Sequence, residues 1–479
     1  SRKTSSLLEL KRAVEFAADV GFGGPVVVHT GEFERPIVDA DWSKKTEDKG
    51  KFEMYEGEKE RASYRVVDSR TGSLIAEARR NRNVSRPVWL RAEQDNSAKG
   101  IKKGDFVNYF GEKVDYTDRV PEYDDKAGTF KVTQMTWDDL ETESHIMTTR
   151  LREEYNKWNT YTEEQKQKSI WRSRIEKAMD KNLPPDKLEI RAEEAYIIAT
   201  LETNAGTARG WALQYAGDFK EMVKQVEKLQ EAHEYYKQLE ETTDEKERWR
   251  LQRMERQFSE FVPPEAKNPT ELIERQLKQL RHQLKHHQES SAAQMTQAEE
   301  SMETIRHVES AEIYAIREAC DAYARSAINA MQQTNKLQEE GKLKPGKPLK
   351  IALENLFPEH YGSHPDELIT LIKESRTRMI ELLKKDYGLV EKEAEERARQ
   401  HITATFDMGH MNMWRKYWKS DVKKSIKENN DDFNTWILGK VEKMAQEKII
   451  GHVHIDDNYG YQDDHLAPGE GNTPIKDMI

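Results

Sequence analysis

The sequence predicts an α/β fold interrupted by two insertions, and three observations lead to this prediction. Short apolar strands alternate with amphipathic helices near both ends of the chain. The middle of the chain differs, with short alternating runs followed by long charged helices. Polar residues also follow the ends of the predicted strands, the position where parallel α/β folds build their active sites.

The first part of the α/β domain is predicted at residues 1–40. Leucine, valine and alanine recur at helical spacing over 5–20, and GFGG at 21–24 ends that helix. PVVVH then reads as a buried parallel strand, because adjacent valines are typical of strands covered on both faces. His29 is its last residue.

The second part is predicted at residues 341–479, where strands alternate with helices at the period of βα units. The predicted strands are KIALENLF, ITATFD and IIGHVHID. The predicted helices are HPDELITLIKESRTRMIELLKKDY, 390–400 and 430–448.

Two insertions are predicted between these parts. Residues 41–144 read as β-rich, with a hairpin around DSRTG, and residues 145–340 read as helical. Within the helical insertion, segment 219–262 and a helix starting at Asn268-Pro269 are joined by VPPEAKNP, which predicts a long antiparallel hairpin whose end merges into a barrel helix. We expect a break in the second helix at the polar patch 286–291.

Composition narrows the class of protein. The net charge of −11 argues against broad electrostatic binding of nucleic acid, although a local basic groove stays compatible with it. The single cysteine, Cys320, fits a reducing compartment. Because there is no run of eighteen apolar residues and no signal-like N-terminus, we predict a soluble cytoplasmic protein with no membrane segment.

Acidic and imidazole side chains recur at the predicted strand ends. Glu354, Asp407 and His454 each end a strand, as His29 does, and His410, Asp463 and His465 follow in the adjoining loops. A single histidine in a strand is usually structural, but repetition at four strand ends is what a Zn²⁺, Mn²⁺ or Mg²⁺ site needs.

The same stretches resemble the xylose-isomerase-like TIM barrels, a superfamily that includes sugar and sugar-phosphate isomerases and epimerases and the type IV apurinic endonucleases. The matching stretches are VVVHTGEF, ALENLFPEHYGSHPDEL, FDMGH and HVHIDDNYGYQDDHLAPGEGN, and the resemblance covers roughly 1–36 and 310–479. It implies a TIM-type (β/α) barrel. We expect this barrel to be incomplete at both ends, with its other strands absent or supplied by another chain.

The resemblance also implies roles for individual residues. Glu354, Asp407 and His454 match the metal ligands of the isomerases and epimerases, and Glu354 is also a candidate catalytic residue. His410 matches a substrate-contacting, catalytic position of the sugar enzymes and a ligand of a further metal in the endonucleases. His29, Asp463 and His465 match additional metal ligands of the endonucleases.

Three functions are compatible with these residues. The first is a metal-dependent isomerase or epimerase acting on a sugar or sugar phosphate. The second is a zinc-dependent phosphodiesterase of the apurinic-endonuclease type, which the acidic charge and the insertions disfavour. The third is a barrel-derived assembly protein, in which the helical insertion mediates homo-oligomerisation through apolar seams. An active enzyme assembled by its insertion is equally compatible.

Several other residues have competing interpretations. Glu202 in LETNAG resembles a family motif, but the surrounding sequence reads as helix, so Glu354 is preferred. His282 and His286 are spaced to share a metal on a helix, although a solvated helix face explains them better. Trp414 and Trp418 fit pocket lining and core packing equally well.

Overall fold

A computed structural model describes residues 2–30, 35–44, 47–124, 126–242, 258, 261–263, 266 and 268–479. Three sequence predictions fall partly outside these described residues. They concern positions 31–33 of VVVHTGEF, positions 243–257 of the first long hairpin segment, and part of the VPPEAKNP corner.

Helices dominate a mixed α/β architecture. The helices are α1 (Arg2–Phe16), α2 (Asp41–Lys44), α3 (Glu58–Arg61), α4 (Trp137–Lys157), α5 (Glu163–Lys168), α6 (Arg172–Asp180), α7 (Ala192–Thr242), α8 (Pro269–Ile305), α9 (Ala311–Glu339), α10 (Pro365–Tyr387), α11 (Glu391–His401), α12 (Met408–Asn412), α13 (Ile426–Gln446) and α14 (Ile475–Met478). The strands are β1 (Pro25–His29), β2 (Ser63–Asp68), β3 (Leu74–Arg79), β4 (Val84–Pro87), β5 (Tyr123–Asp124), β6 (Thr129–Phe130), β7 (Val132–Met135), β8 (Val308–Ser310), β9 (Lys350–Glu354), β10 (Ile402–Asp407) and β11 (Ile450–His454).

The chain divides into two compact units. The first comprises 1–81 with 309–479, and the second comprises 82–308. The sequence placed the boundaries near 40, 144 and 340, so the first unit also contains β2, β3 and α9. Helix α9 joins it because its apolar face packs on α1 and α10.

A four-stranded sheet organises the first unit. Its order is β1-β9-β10-β11, and all three pairings are parallel. Helices α10 and α11 lie between β9 and β10 in the chain, and α12 and α13 lie between β10 and β11. The prediction of an α/β fold with parallel strands is therefore confirmed. The prediction that PVVVH is a buried strand is wrong, because β1 lies at the end of the described strand order and Val27 is 37% exposed. The TIM-type (β/α) barrel, incomplete at both ends, stays a prediction.

The two faces of this sheet have different chemistry. Ile351 and Leu353 of β9, like Phe406 of β10, point into the hydrophobic core formed with the helices. The alternate residues point the other way, because successive side chains of a strand face opposite sides. That second face carries Glu354 and Asp407 at the strand ends.

The tryptophans near FDMGH belong to an aromatic cluster in the first unit. Trp414 is fully buried and packs edge-on against Trp42 and Phe52. Trp418 also packs on Phe52 and Trp436. Core packing therefore accounts for both Trp414 and Trp418.

The second unit contains a β-rich part and a helical hairpin. Antiparallel pairs β4–β7 and β5–β6 form the β-rich part. Contacts between α7 and α8 run in opposite order along the chain: Ser291 bonds to Ala212, and Glu274 meets His233. Over the described residues, α7 and α8 therefore pack as an antiparallel pair. Its apolar seam, which includes Ile273, packs α8 on α7.

The break predicted at 286–291 is wrong, because α8 continues through this patch to Ile305. The side chains of the patch lie on the surface or against α7 and leave the backbone hydrogen bonds intact. The chain instead leaves the helix at 306–310, before α9.

Among the described residues, no helix has the length and apolar character needed to cross a lipid bilayer.

Candidate metal centre

Four strand ends bring their last residues to one edge of the sheet. His29 pairs with Glu354 across β1 and β9, and Asp407 pairs with His454 across β10 and β11. Thr405 pairs with Glu354, so Asp407, two residues further on, lies on the same face. Parallel register therefore gathers side chains that are hundreds of residues apart in the sequence.

Glu354, Asp407 and His454 form what we call the central cluster. Nδ1 of His454 lies 2.7 Å from Oε1 of Glu354 and 3.3 Å from Oδ2 of Asp407. One donor atom from each residue lies within 4.8 Å of the other two. Ligands held at about 2.0–2.2 Å from one Zn²⁺ ion are roughly 3–3.5 Å apart, so this spacing fits a shared cation.

The electrostatics of the central cluster also fit a cation. Glu354 and Asp407 are 3% and 2% exposed. Burial raises the pKa of Asp407 to about 6; contacts with His410 oppose this shift, and the charges of Asp456 and Glu354 add to it. Among the described residues, the two carboxylates make ion pairs only with histidines. Buried carboxylates without a lysine or arginine favour a bound cation.

His29 extends the central cluster on the side of β1. Its Nε2 lies 3.3 Å from Oε2 of Glu354, and its side chain is 56% exposed. Glu354 thus presents one oxygen to His454 and the other to His29. A carboxylate in this position can hold one cation or bridge two.

His410 is fixed beside the central cluster by the start of α12. Asp407 caps this helix by accepting the backbone N–H of His410 at 2.7 Å. The His410 ring lies 2.8 Å from the carbonyl oxygen of Asn355 through Nδ1 and 3.3 Å from Oδ2 of Asp463 through Nε2. Burial lowers the pKa of His410, but the charge of Asp407, the Asn355 carbonyl and Asp463 together raise it above its ordinary value.

A second group, the outer cluster, consists of Asp456, Asp463 and His465. The ring of His465 lies 3.1 Å from Asp463 and 3.5 Å from Asp456, and one donor atom from each residue lies within 4.8 Å of the others. Oδ2 of Asp456 and Oδ1 of Asp463 are buried without a hydrogen-bond donor in the described part of the chain. Such oxygens are available to a cation.

The loop that carries the outer cluster is held by Asp457. Its buried carboxylate accepts backbone N–H groups from Asn458, Gly469, Gly471 and Thr473 at 2.9–3.0 Å. Burial raises the pKa of Asp457, but these hydrogen bonds outweigh it and lower the pKa overall. The tract HVHIDDNYGYQDDHLAPGEG is therefore a strand end followed by an anchored loop.

The structure brings together all seven predicted site residues. Their role as metal ligands or catalytic groups stays a prediction. Asp456 was not among the residues predicted for the site. The spacing of Asp456, two residues beyond His454 at a strand end, was the available signal. Asn355, which exchanges two hydrogen bonds with the backbone of Asp407, was also not predicted as a site residue.

The remaining candidates have structural partners or lie elsewhere. Glu202 lies in α7 and pairs with Arg86 at 2.9 Å and Arg119 at 2.8 Å, which supports the preference for Glu354. His282 and His286 are exposed on α8, and neither belongs to any metal-sized cluster of the described residues.

A third acidic cluster, of Glu47, Asp48 and Asp366, already has its cations. Nζ of Lys440 lies 2.5 Å from Asp48 and 3.0 Å from Asp366, and Lys443 lies 2.6 Å from Asp366. Lys440 is 6% exposed. We call this group the lysine-paired cluster, because each of its two aspartates has a lysine within ion-pair distance.

Comparison of the chain with protein-family models, with curated proteins and with solved structures gives no match.

Proposed function

We propose that this protein is a divalent-metal-dependent isomerase or epimerase acting on a sugar or sugar phosphate. The observation that carries the proposal is the central cluster, in which three strand ends place two buried carboxylates and an imidazole within 4.8 Å of one another. The resemblance to the xylose-isomerase-like TIM barrels supplies the reaction class.

Glu354, Asp407 and His454 would hold the cation. Carboxylate and imidazole donors together suit Zn²⁺ or Mn²⁺, and water or substrate oxygens would complete the shell of Mg²⁺. When bound, the cation supplies Lewis acidity to a carbonyl and its neighbouring hydroxyl.

Glu354 and His410 would act on the substrate. Oε2 of Glu354 faces away from His454, so it can accept the proton from the carbon next to the carbonyl as a general base. The raised pKa of His410 keeps its ring protonated to a higher pH, so Nε2 can donate a hydrogen bond to a substrate oxygen. Asn355 and Asp407 fix the position of His410 for this contact.

A second candidate function is a phosphodiesterase of the apurinic-endonuclease type. The outer cluster and His29 favour it, because they offer ligands for one or two cations beyond the first. Two-metal sites activate water and stabilise the leaving oxygen of a phosphodiester. The net charge of −11 disfavours DNA as a substrate.

Counting metal ions separates the two candidates. We would strip the full chain with a chelator, dialyse it separately against Zn²⁺, Mn²⁺ and Mg²⁺, and measure metal per chain by mass spectrometry. One tight ion, with interconversion of aldoses and ketoses or their phosphates, supports the isomerase. Two or three ions, with cleavage of abasic-site DNA, support the phosphodiesterase. A chain that binds no ion contradicts both.

A further inference from the structure

A cavity of about 360 Å³ opens in the second unit, beside α4. Its floor is apolar and buried, formed by Met147 of α4 with Ile170 and Trp171. Tyr116 and Tyr161 add aromatic walls. Its volume lies at the lower end of the range for small-molecule sites, and an apolar floor with a few polar groups is the usual composition of such sites. We call it the α4 cavity.

One wall of the α4 cavity carries charges of both signs. Arg150, Glu153, Glu154 and Lys157 occupy positions i, i+3, i+4 and i+7 of α4, so they form one stripe facing the cavity. Among the described residues, none of these four makes an ion pair within 4 Å. Neighbours of opposite charge on a helix often pair with each other, so four charges left unpaired at a cavity wall are available to a ligand.

Glu154 is the innermost of these charges. Burial raises its pKa, and the hydroxyl of Ser169, which donates to it at 2.6 Å, only partly offsets that effect. A half-buried carboxylate with a single neutral donor is stabilised by a cation that enters the cavity.

Arg150 lies at the N-terminal end of the stripe, one helical turn before Glu154. Its guanidinium carbon lies 4.5 Å from the centre of the Tyr116 ring, whose other neighbour is the guanidinium of Arg119 at 3.5 Å. Stacking positions the Arg150 guanidinium without neutralising it. The stripe therefore offers a positioned cation and an inner carboxylate over one apolar floor.

We propose that the α4 cavity binds a small zwitterionic molecule with an apolar body, the chemistry of a free amino acid with a large apolar side chain. Glu154 receives the ammonium group, Arg150 receives the carboxylate, and Met147 and Trp171 receive the apolar side chain. This site is independent of the central cluster and of its metal.

Calorimetric titration of the full chain tests the proposal. L-phenylalanine and L-leucine should bind. N-acetyl-L-phenylalanine, which has no ammonium group, and 2-phenylethylamine, which has no carboxylate, should each bind at least about tenfold more weakly, since each loses one charge contact. Absence of heat with both amino acids, or binding of either derivative as tight as that of L-phenylalanine, would overturn the proposal.

Two variants assign the charges. Glu154→Gln should weaken phenylalanine binding about tenfold and leave N-acetyl-L-phenylalanine unaffected, whereas Arg150→Gln should weaken phenylalanine and leave 2-phenylethylamine unaffected. Gln at 154 can still accept from Ser169, and position 150 is exposed, so both variants should fold, as circular dichroism would show. The control is Glu164→Gln on the exposed surface of α5, which should change nothing. Equal losses with all ligands would contradict the assignment.

Discussion

Two acidic clusters in the first unit differ in what neutralises them. In the lysine-paired cluster, the buried ammonium of Lys440 lies between Asp48 and Asp366. In the central cluster, Glu354 and Asp407 are equally buried, yet their ion-pair partners in the described part of the chain are histidines. The first arrangement is complete as it stands. The central cluster instead keeps a negative charge that a divalent cation would balance. Of these two clusters, it is therefore the one that supports a functional proposal.

The largest expected effect is a loss of stability when the lysine-paired cluster loses Lys440. Lys440→Met should lower the free energy of unfolding by about 3–5 kcal/mol, because it removes the buried cation that Asp48 and Asp366 share and leaves Asp366 with only the partly exposed Lys443. Urea denaturation measures this loss.

Lys443→Met is the matched control for Lys440→Met. Among the described residues, Asp366 is the one ion-pair partner of Lys443, whose side chain is 40% exposed, so the loss should stay near 1 kcal/mol or less. Similar losses in the two variants would mean that burial of Lys440 is not what distinguishes this cluster.

The next largest effect is expected on metal binding at the central cluster. Asp407→Asn should weaken Zn²⁺ or Mn²⁺ binding by more than about 100-fold, because it removes a charged ligand. Asparagine can still cap α12, so the local fold should persist. Calorimetric metal titration gives the affinity.

Glu47→Gln is the control for the metal titration, since Glu47 belongs to the lysine-paired cluster and should not affect metal affinity. Unchanged metal affinity in Asp407→Asn would show that the central cluster is not the metal-binding site.

A smaller effect concerns a buried histidine outside both clusters. Burial lowers the pKa of His401 to about 4, although its contact with the Leu349 carbonyl opposes this. The unfolded chain therefore binds more protons than the folded chain between about pH 6.5 and 4. Stability contributed by neutral His401 is present above pH 6.5 and should fall by about 1–2 kcal/mol as the pH drops from 7 to 5.

Unfolding measured at several pH values in His401→Gln checks this contribution. The variant should show a flatter dependence than the parent chain, and His282→Gln, at an exposed position of α8, should leave the parent dependence unchanged. An identical pH dependence in His401→Gln and the parent chain would show that His401 does not cause the loss of stability at low pH.

The smallest effect is expected from Asp457, which anchors the loop that carries the outer cluster. Asp457→Asn replaces a charged acceptor of backbone N–H groups with a neutral one, so unfolding free energy should fall by about 1 kcal/mol. Metal affinity should fall about tenfold, because Asp463 and His465 lose their positioning. Asp464→Asn, in the same loop, is the control. A loss of stability with no loss of metal affinity would show that the loop does not serve the site.

Local sequence patterns predicted the parts of the fold that depend on neighbouring residues. Valine runs, glycine stops and helical spacing located β1, β9, β10 and β11 and the helices between them. Parallel pairing then followed from the alternation, and with it the meeting of Glu354, Asp407 and His454 at one edge.

The buried ion pairs and the boundaries of the two units depend on contacts between distant parts of the chain, which no local sequence pattern encodes. Lys440 sits in a helix where lysine usually faces water, and Asp48 lies hundreds of residues earlier, so their buried pair could not be foreseen. The boundaries of the two units were missed for the same reason, because α9 belongs to the first unit through its packing on α1 and α10.

The most direct test is anomalous X-ray diffraction from crystals of the full chain grown with Zn²⁺ or Mn²⁺. We predict an anomalous peak about 2.0–2.2 Å from donor atoms of Glu354, Asp407 and His454, and none at the lysine-paired cluster. Crystals that bind the metal elsewhere, or show no peak between these three side chains, would contradict the account.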